Sequence, residues 1–417
     1  MNDLPMNFVL FNPANLVGAD LDAWFSNGGG RGLRRALEQP GTIIDEIAAA
    51  DLRGCGGAGF ATHRKWQFVA DAASGDGKYL IADGNEDEPG TYKDRMLLEH
   101  GPHQVIEGAL IAALAARIDH IVLYINPHEA DALAAARLAV DQWSSTDLLD
   151  GVAAEVGRPI TLRVLESSGM YIGGEETAAI ASVEGGFPFP RAKPPFPATA
   201  GVDGKPTLVN NIETLANVPH ILANGPAWFH SLGIGVAAGT KLYSLSGDVL
   251  RPGVYELPMG TSLRTLVFDV GGGMLQDKRF KAVFTGGPSN TILSIDDLDV
   301  ALDWESVAAR NSRLGTGAMI VVSEGTSMIR RVAEFVDFFA AGSCGQCPSC
   351  SIGTQQMARL LRRIDTGTAG SEDVDHLESL CHVLPGSGKC GLVDGAVTVV
   401  RSSLDKYRIE YTNALKR

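Results

Sequence analysis

Lys78-Tyr-Leu-Ile-Ala-Asp-Gly-Asn-Glu-Asp-Glu-Pro-Gly-Thr91 passes from a short apolar run directly into four carboxylates and a Pro-Gly turn. The apolar part, 78–82, reads as a buried strand ended by the turn-forming residues after it. Helical spacing precedes it over 32–37 and 42–50. After it come a helix over 104–117, a strand over 120–125, a helix over 129–142 and a strand over 161–166. Such alternation predicts an α/β fold with a largely parallel sheet flanked by helices, whose ligands gather beyond the carboxyl ends of the strands. The acidic run hangs from one such end. By charge alone it is a solvated surface loop, whereas its position allows the carboxylates to accept hydrogen bonds from ribose hydroxyls.

The remaining 250 or so residues do not continue this pattern, and at about 150 residues per domain a 417-residue chain has room for roughly three. Beyond a Gly- and Ala-rich stretch at 225–240, short strand-like runs at 241–246, 253–256 and 282–285 with one helix over 263–270 read as a small mixed β unit. From Met328 onward only helical patterns appear, so the third domain reads as a helical bundle. The expected boundaries are 1–238, 239–326 and 327–417.

A formal net charge of −14 without a basic run argues against a nucleic-acid partner. No stretch reaches 18 uninterrupted apolar residues, so no membrane insertion is expected. The amino-terminal MNDLPMNFVLFNPANL has no basic region ahead of its apolar run, which makes a leader peptide unexpected. Six cysteines in a chain this long are too few for a disulfide scaffold, and a reducing cytoplasm suits them.

Three of those cysteines stand in Cys344-Gly-Gln-Cys347-Pro-Ser-Cys350, between apolar helical runs at 332–341 and 354–364. Their spacing lets the sulfurs turn toward one point, and Cys390, just ahead of a last helix over 392–407, is the best fourth ligand. Three thiolates in one loop with a distant fourth suit the corners of a [4Fe-4S] cube. A zinc-bound four-cysteine site in a non-enzymatic scaffold and a merely structural thiol group remain open alternatives.

Other motifs carry ligand chemistry. Gly54-Cys-Gly56-Gly57-Ala-Gly59 has the glycine spacing of a dinucleotide loop, but 43–52 before it is helical rather than a strand. The ordinary Rossmann reading fails there, while bare backbone approaching a phosphorylated or flat ligand is retained. Tyr171-Ile-Gly-Gly-Glu-Glu-Thr177 runs into an Ala-rich helix, where its glutamates either cap or bind. Arg191-Ala-Lys193-Pro-Pro-Phe196 is stiff enough to present an aromatic ring and a cation, and Asn210-Asn211-Ile-Glu-Thr214 opens a helix with two amides and a hydroxyl.

In this order, RGCGGAGF, KW, EPGTYKDR, YIGGEETA, KPPFPA, VNNIETLANVP, SCGQC and the late Cys390 resemble the NADH-binding flavoprotein subunit of respiratory complex I. They equally resemble the diaphorase subunits of NAD-dependent formate dehydrogenases and bidirectional hydrogenases. The segment KLYSLSGDVLRPGVYELPMG resembles the ubiquitin-like soluble-ligand-binding β-grasp domain of those subunits. The resemblance implies an FMN-binding Rossmann-like domain, a β-grasp domain and a helical [4Fe-4S] domain, with NAD(H) as the diffusing partner of FMN. It implies that Gly54, Gly56, Gly57, Lys65, Asn85, Tyr171, Gly174, Asn210, Asn211 and Thr214 line FMN, and that Phe60, Phe68, Glu88, Glu175, Glu176, Lys193 and Phe196 hold the nucleotide. Glu88, near the nicotinamide ribose, is the one catalytic candidate, although no side chain need act as acid or base where a cofactor carries the chemistry. Cys344, Cys347, Cys350 and Cys390 would bind the cluster, leaving Cys381 spare. The chain departs from the family in having Cys55 where the flavin loop usually has Arg, and Asp83-Gly-Asn-Glu-Asp-Glu88 where Asn-Ala-Asp-Glu-Gly-Glu is usual. The thioredoxin-like [2Fe-2S] extension of some diaphorases is not seen, so a separate small iron–sulfur subunit and a further electron-transfer or catalytic subunit are the expected partners. The expected function is an electron-transferring NADH dehydrogenase subunit, or the same module reducing NAD⁺.

Overall fold

The computed structural model describes residues 9–73 and 75–415. The first eight residues, on which the leader reading partly rests, lie outside the described residues. Strands β1 (Tyr79–Gly84), β2 (His120–Ile125), β3 (Thr161–Glu166) and β4 (Thr207–Asn211) form one sheet in the order β3-β2-β1-β4, every pair parallel. Leu80, Ile81 and Ala82 of β1 are fully buried, as expected of a central strand covered on both faces. On one face the Pro102–Ala116 helix meets the Ile212–Asn224 helix at Gly108, where a Cβ would stand 1.9 Å from the Leu215 carbonyl oxygen. Only glycine permits so close a crossing.

Strands β5 (Thr240–Gly247), β6 (Gly253–Pro258), β7 (Phe280–Thr285), β8 (Leu293–Ser294) and β9 (Ala318–Ser323) form a second sheet, ordered β6-β5-β9-β7-β8. Its central pair β5–β9 is parallel and its flanking pairs are antiparallel, the arrangement of a β-grasp unit. The helix expected over 263–270 is a turn over Thr265–Val270 wound wide enough for the Gly271 N–H to reach the Leu266 carbonyl. Helices Met328–Ala341, Pro348–Asp365, Ser371–Val383 and Leu392–Lys406 then pack around Val336, Phe339, Leu361, Leu377 and Val400 as the third unit.

The stretch expected to open a helix does so: Asn210 and Asn211 end β4, and the helix starts at Ile212, capped by the Asn211 carboxamide accepting from the Glu213 N–H. Two expectations are corrected. Cys350 is not on an interhelical loop. Pro348 starts the helix six residues earlier than the apolar spacing suggests, which puts Cys350 in its first turn. The acidic run is not a solvated loop, since Glu86 is 5 % exposed and Asp83 belongs to β1. Among the described residues no helix is long and apolar enough to cross a membrane.

The first two units are welded by buried charge. Glu213 is fully buried and accepts from the Leu242 N–H at 2.8 Å, Lys241 at 3.2 Å and Lys93 at 3.0 Å. Gly57 and Gly315 add an isolated antiparallel bridge.

Candidate active site between the three units

The carboxyl ends of β1 and β4, the Tyr171–Gly174 turn, the β-grasp unit and the start of the Leu392–Lys406 helix enclose a cavity of about 720 Å³, within the usual range for a bound cofactor. Gly56, Asn85, Glu88, Tyr171, Gly174, Glu175 and Asn211 all face it. Gly56 and Gly174 make a cradle: a Cβ at Gly56 would stand 3.0 Å from the Asn211 Cβ, and one at Gly174 would stand 3.4 Å from the Asn85 carbonyl oxygen. Bare backbone, a polar floor and this volume fit a flavin.

Asn85 is fixed from both sides, with its carboxamide NH2 donating to the Met170 carbonyl at 3.1 Å and its Oδ1 accepting from the Ser167 hydroxyl. The Asn211 amide is saturated. Its NH2 donates to the Asp83 carbonyl at 3.2 Å and Asp94 Oδ2 at 2.7 Å, while its Oδ1 accepts from Lys93 at 2.9 Å and the Glu213 N–H. It shapes the floor with no bonding capacity left for a ligand. Behind it Lys93 is fully buried against Asp94 at 2.8 Å and Glu213. Burial strips Lys93 of hydration, and those carboxylates outweigh the cost, so its ammonium sits well above its ordinary pKa.

Glu88 accepts from the Tyr171 hydroxyl at 2.7 Å, and Gly287 of the β-grasp unit leaves room for its carboxylate: a Cβ there would meet Oε1 at 2.1 Å. Burial pushes the Glu88 carboxyl up to about 7 even with the Tyr171 bond, and burial does the same to Asp83. Tyr171 leans edge-on against Phe338 at 4.8 Å and Phe339 at 6.0 Å, both on the helix leading to the cysteine loop.

Glu175 caps its helix by accepting from the Thr177 and Ala178 N–H groups, and Lys193 lies 3.1 Å from it. Glu176 pairs with Lys65 at 3.2 Å and Lys193 at 2.5 Å; burial alone would raise its carboxyl, and the two lysines leave it below its ordinary value. Phe60, Phe68 and Phe196 are exposed, at 44 %, 54 % and 58 %. Gly54, Gly57, Phe60, Lys65, Phe68, Glu176, Lys193, Phe196, Asn210 and Thr214 do not line the cavity. Thr214 is buried and its hydroxyl accepts from the Cys55 N–H at 2.8 Å, while the Asn210 carboxamide oxygen accepts from the Trp66 indole N–H at 2.8 Å. Both hold the wall from behind.

Cys344, Cys347, Cys350 and Cys390 line one smaller cavity, and Cys390 also faces the larger one. Among the described residues no three metal-binding side chains close on a single ion. Thiols around a shared space suit a multi-iron cluster, one sulfur to each iron corner. Cys381 is buried elsewhere in the bundle. Motif reading gave no role to Lys93, Asp94, Ser289 or Arg313, whose neighbours at the site are far away in sequence.

A flavin-sized cavity with a thiolate cage at its edge defines the class: a flavin- and iron–sulfur-dependent oxidoreductase component. Residues 47–220 match the Nuo51 FMN-binding domain, 242–293 the SLBB domain and 330–414 the iron–sulfur binding region of NADH-ubiquinone oxidoreductase F. The chain is 40% identical over 410 residues to the second NADH-quinone oxidoreductase F subunit of Rhizobium meliloti, covering 96% of this chain and 97% of that one. It is 38% identical over 392 residues to HndC of the NADP-reducing hydrogenase of Solidesulfovibrio fructosivorans, covering 94% and 80%. A chain of the NAD⁺-reducing [NiFe]-hydrogenase in its H2-reduced state superposes with a TM-score of 0.84 at 33% identity, over 95% of this chain and 66% of that one. The chain belongs to the family of NADH-quinone oxidoreductase F subunits and related hydrogenase diaphorase subunits, and is an FMN- and [4Fe-4S]-binding NADH dehydrogenase module. Its relatives are subunits of multi-subunit complexes, so it too has partners.

Proposed function

We propose that this protein takes electrons from NADH in the cavity and delivers them singly through the cysteine cage to a small thioredoxin-like [2Fe-2S] subunit and a further electron-transfer or catalytic subunit, in the cytoplasm. FMN supplies the conversion of a two-electron hydride donor into one-electron steps. The observation that carries the proposal is that Cys390 lines both cavities, with Tyr171 of the larger one packed against Phe338. The division into 1–238, 239–326 and 327–417 assigns the nucleotide site, a β-grasp unit and the cluster domain.

In this reading Gly56 and Gly174 leave the backbone open to the flavin, Asn85 faces it, and Gly54, Gly57, Asn210, Asn211 and Thr214 hold that wall in shape. Lys65 serves the flavin, and Glu175, Glu176 and Lys193 hold the nucleotide, for which the exposed rings of Phe60, Phe68 and Phe196 give stacking faces. Glu88, kept by Tyr171 and able to change protonation near neutral pH, orients the ribose. Cys344, Cys347, Cys350 and Cys390 ligate the cluster.

The experiment is Gly56→Val in the full chain. Its side chain intrudes on the Asn211 wall, so released flavin per chain falls to near zero while circular dichroism is unchanged. Full flavin content in a folded variant refutes the assignment. A second reading, NAD⁺ reduction, is favoured by the likeness to the NAD⁺-reducing hydrogenase. Co-purification with a hydrogenase or formate dehydrogenase catalytic subunit rather than quinone-reductase subunits decides for it.

A further inference from the structure

The cavity is strongly acidic. Carboxylates face it from Asp83 in β1 to Asp394 in the bundle, and Arg313 is the one basic residue among the described residues that line it. Any ligand carrying phosphate enters this field at a cost unless a cation meets it. Lys65 is committed to Glu176 and the Val209 carbonyl, Lys193 to Glu175 and Glu176, Lys93 to its buried carboxylates, and Arg53 to Glu305 at 2.7 Å. The glycine loop supplies none, since the position between Gly54 and Gly56 is the buried Cys55. Arg313 makes no hydrogen bond or ion pair among the described residues and is exposed.

Its backbone is nevertheless fixed. The Ser312 hydroxyl bonds the Thr285 hydroxyl at 2.8 Å and the Thr291 carbonyl at 2.7 Å, Leu314 is 1 % exposed, and Gly315 bridges Gly57 of the glycine loop. A free guanidinium on a pinned backbone, two residues from the contact with that loop, loses little freedom on binding. Its planar fork matches two phosphate oxygens.

We infer that Arg313 is the anion-binding residue of this cavity, gripping a phosphate of the bound ligand, so that the β-grasp unit supplies a direct ligand contact. The inference rests on the cavity being the flavin and nucleotide site. The phosphate is either the monoester of FMN or the pyrophosphate of NADH.

The test uses the deflavinated full chain as wild type, Arg313→Gln and the control Arg310→Gln, whose arginine pairs with Asp297 outside the cavity. Dissociation constants are measured for FMN and riboflavin by flavin fluorescence, and for NADH and reduced nicotinamide riboside by calorimetry on the flavin-loaded protein. Loss of a charge-assisted contact weakens the phosphorylated ligand by about tenfold or more. If FMN weakens and riboflavin does not, the monoester is the ligand of Arg313. If NADH weakens and the riboside does not, the pyrophosphate is. Equal weakening of phosphorylated and phosphate-free ligands, or changes under about twofold throughout, overturns the inference. Normal FMN binding by Gly56→Val would instead remove the cavity assignment, a separately visible failure.

Discussion

Lys93→Met exposes how far the flavin floor depends on a cation that no solvent reaches. The Lys93 ammonium lies 2.8 Å from Asp94, 2.9 Å from the Asn211 amide oxygen and 3.0 Å from Glu213. Methionine fills most of the same volume, so little of the effect comes from a void. What changes is charge: Asp94 keeps the Asn211 amide, while Glu213 keeps Lys241 and the Leu242 N–H. Breaking a buried pair by removing one partner costs about 3–5 kcal/mol. For a domain of this size that is a fall in melting temperature of roughly 10 °C. Asn211 also loses one of the bonds holding its amide plane, so flavin content falls with stability. Differential scanning fluorimetry and released-flavin assays on wild type, Lys93→Met and Lys93→Met/Asp94→Leu check this. The double variant, with one orphaned carboxylate gone, recovers part of the loss. A single variant melting within about 2 °C of wild type with full flavin would refute the reasoning, because it would mean that water or a shift of Lys241 replaces the buried cation.

Cys350→Ala retains NADH-driven reduction of a small dye that accepts electrons in the flavin cavity, and loses transfer to the protein partner; survival of both with the cluster gone takes the cluster off the path. Asp83 and Glu88 are held at about 7 against ordinary values of 3.8 and 4.5. The folded chain therefore keeps protons between about pH 4 and 7 that the unfolded chain has lost, and these two groups make the cofactor-free protein less stable as pH rises through that window and level above it. Urea midpoints for wild type and Asp83→Asn/Glu88→Gln converge at low pH and separate toward pH 7; parallel curves contradict the burial argument. Cys55→Arg places a cation beside the buried Glu213 and the flavin wall, and shifts the flavin midpoint potential upward by tens of millivolts in spectroelectrochemical titration, since about 30 mV of a two-electron couple is 1.4 kcal/mol. A lowered or unchanged potential removes electrostatics at this position as a determinant.

The parts of the fold that were legible in the sequence are those whose signal is local. Strands β1, β2, β3, β5, β6 and β7 announce themselves as short apolar runs bounded by turn residues. Strand β4 hides because only Leu208 and Val209 are apolar before two asparagines, and β9 because Ala-Met-Ile-Val-Val-Ser has no alternation to separate a buried strand from a helix. The Lys93–His100 helix begins with two charged residues that are buried only because Glu213 and Lys241 arrive from elsewhere. The site motifs were visible as glycines, acids and cysteines. Which of them face the ligand was not, because Asn210 and Thr214 turn their side chains into the protein and Arg313 joins the cavity from a different unit.

The walls of the large cavity are drawn from Gly56 at one end of the chain to Thr398 near the other. A nascent chain leaving the ribosome therefore has no complete cavity until almost all of it has been synthesised and the last long helix has docked. A truncated product lacks part of that wall, and with it the stability that a ligand bound there adds.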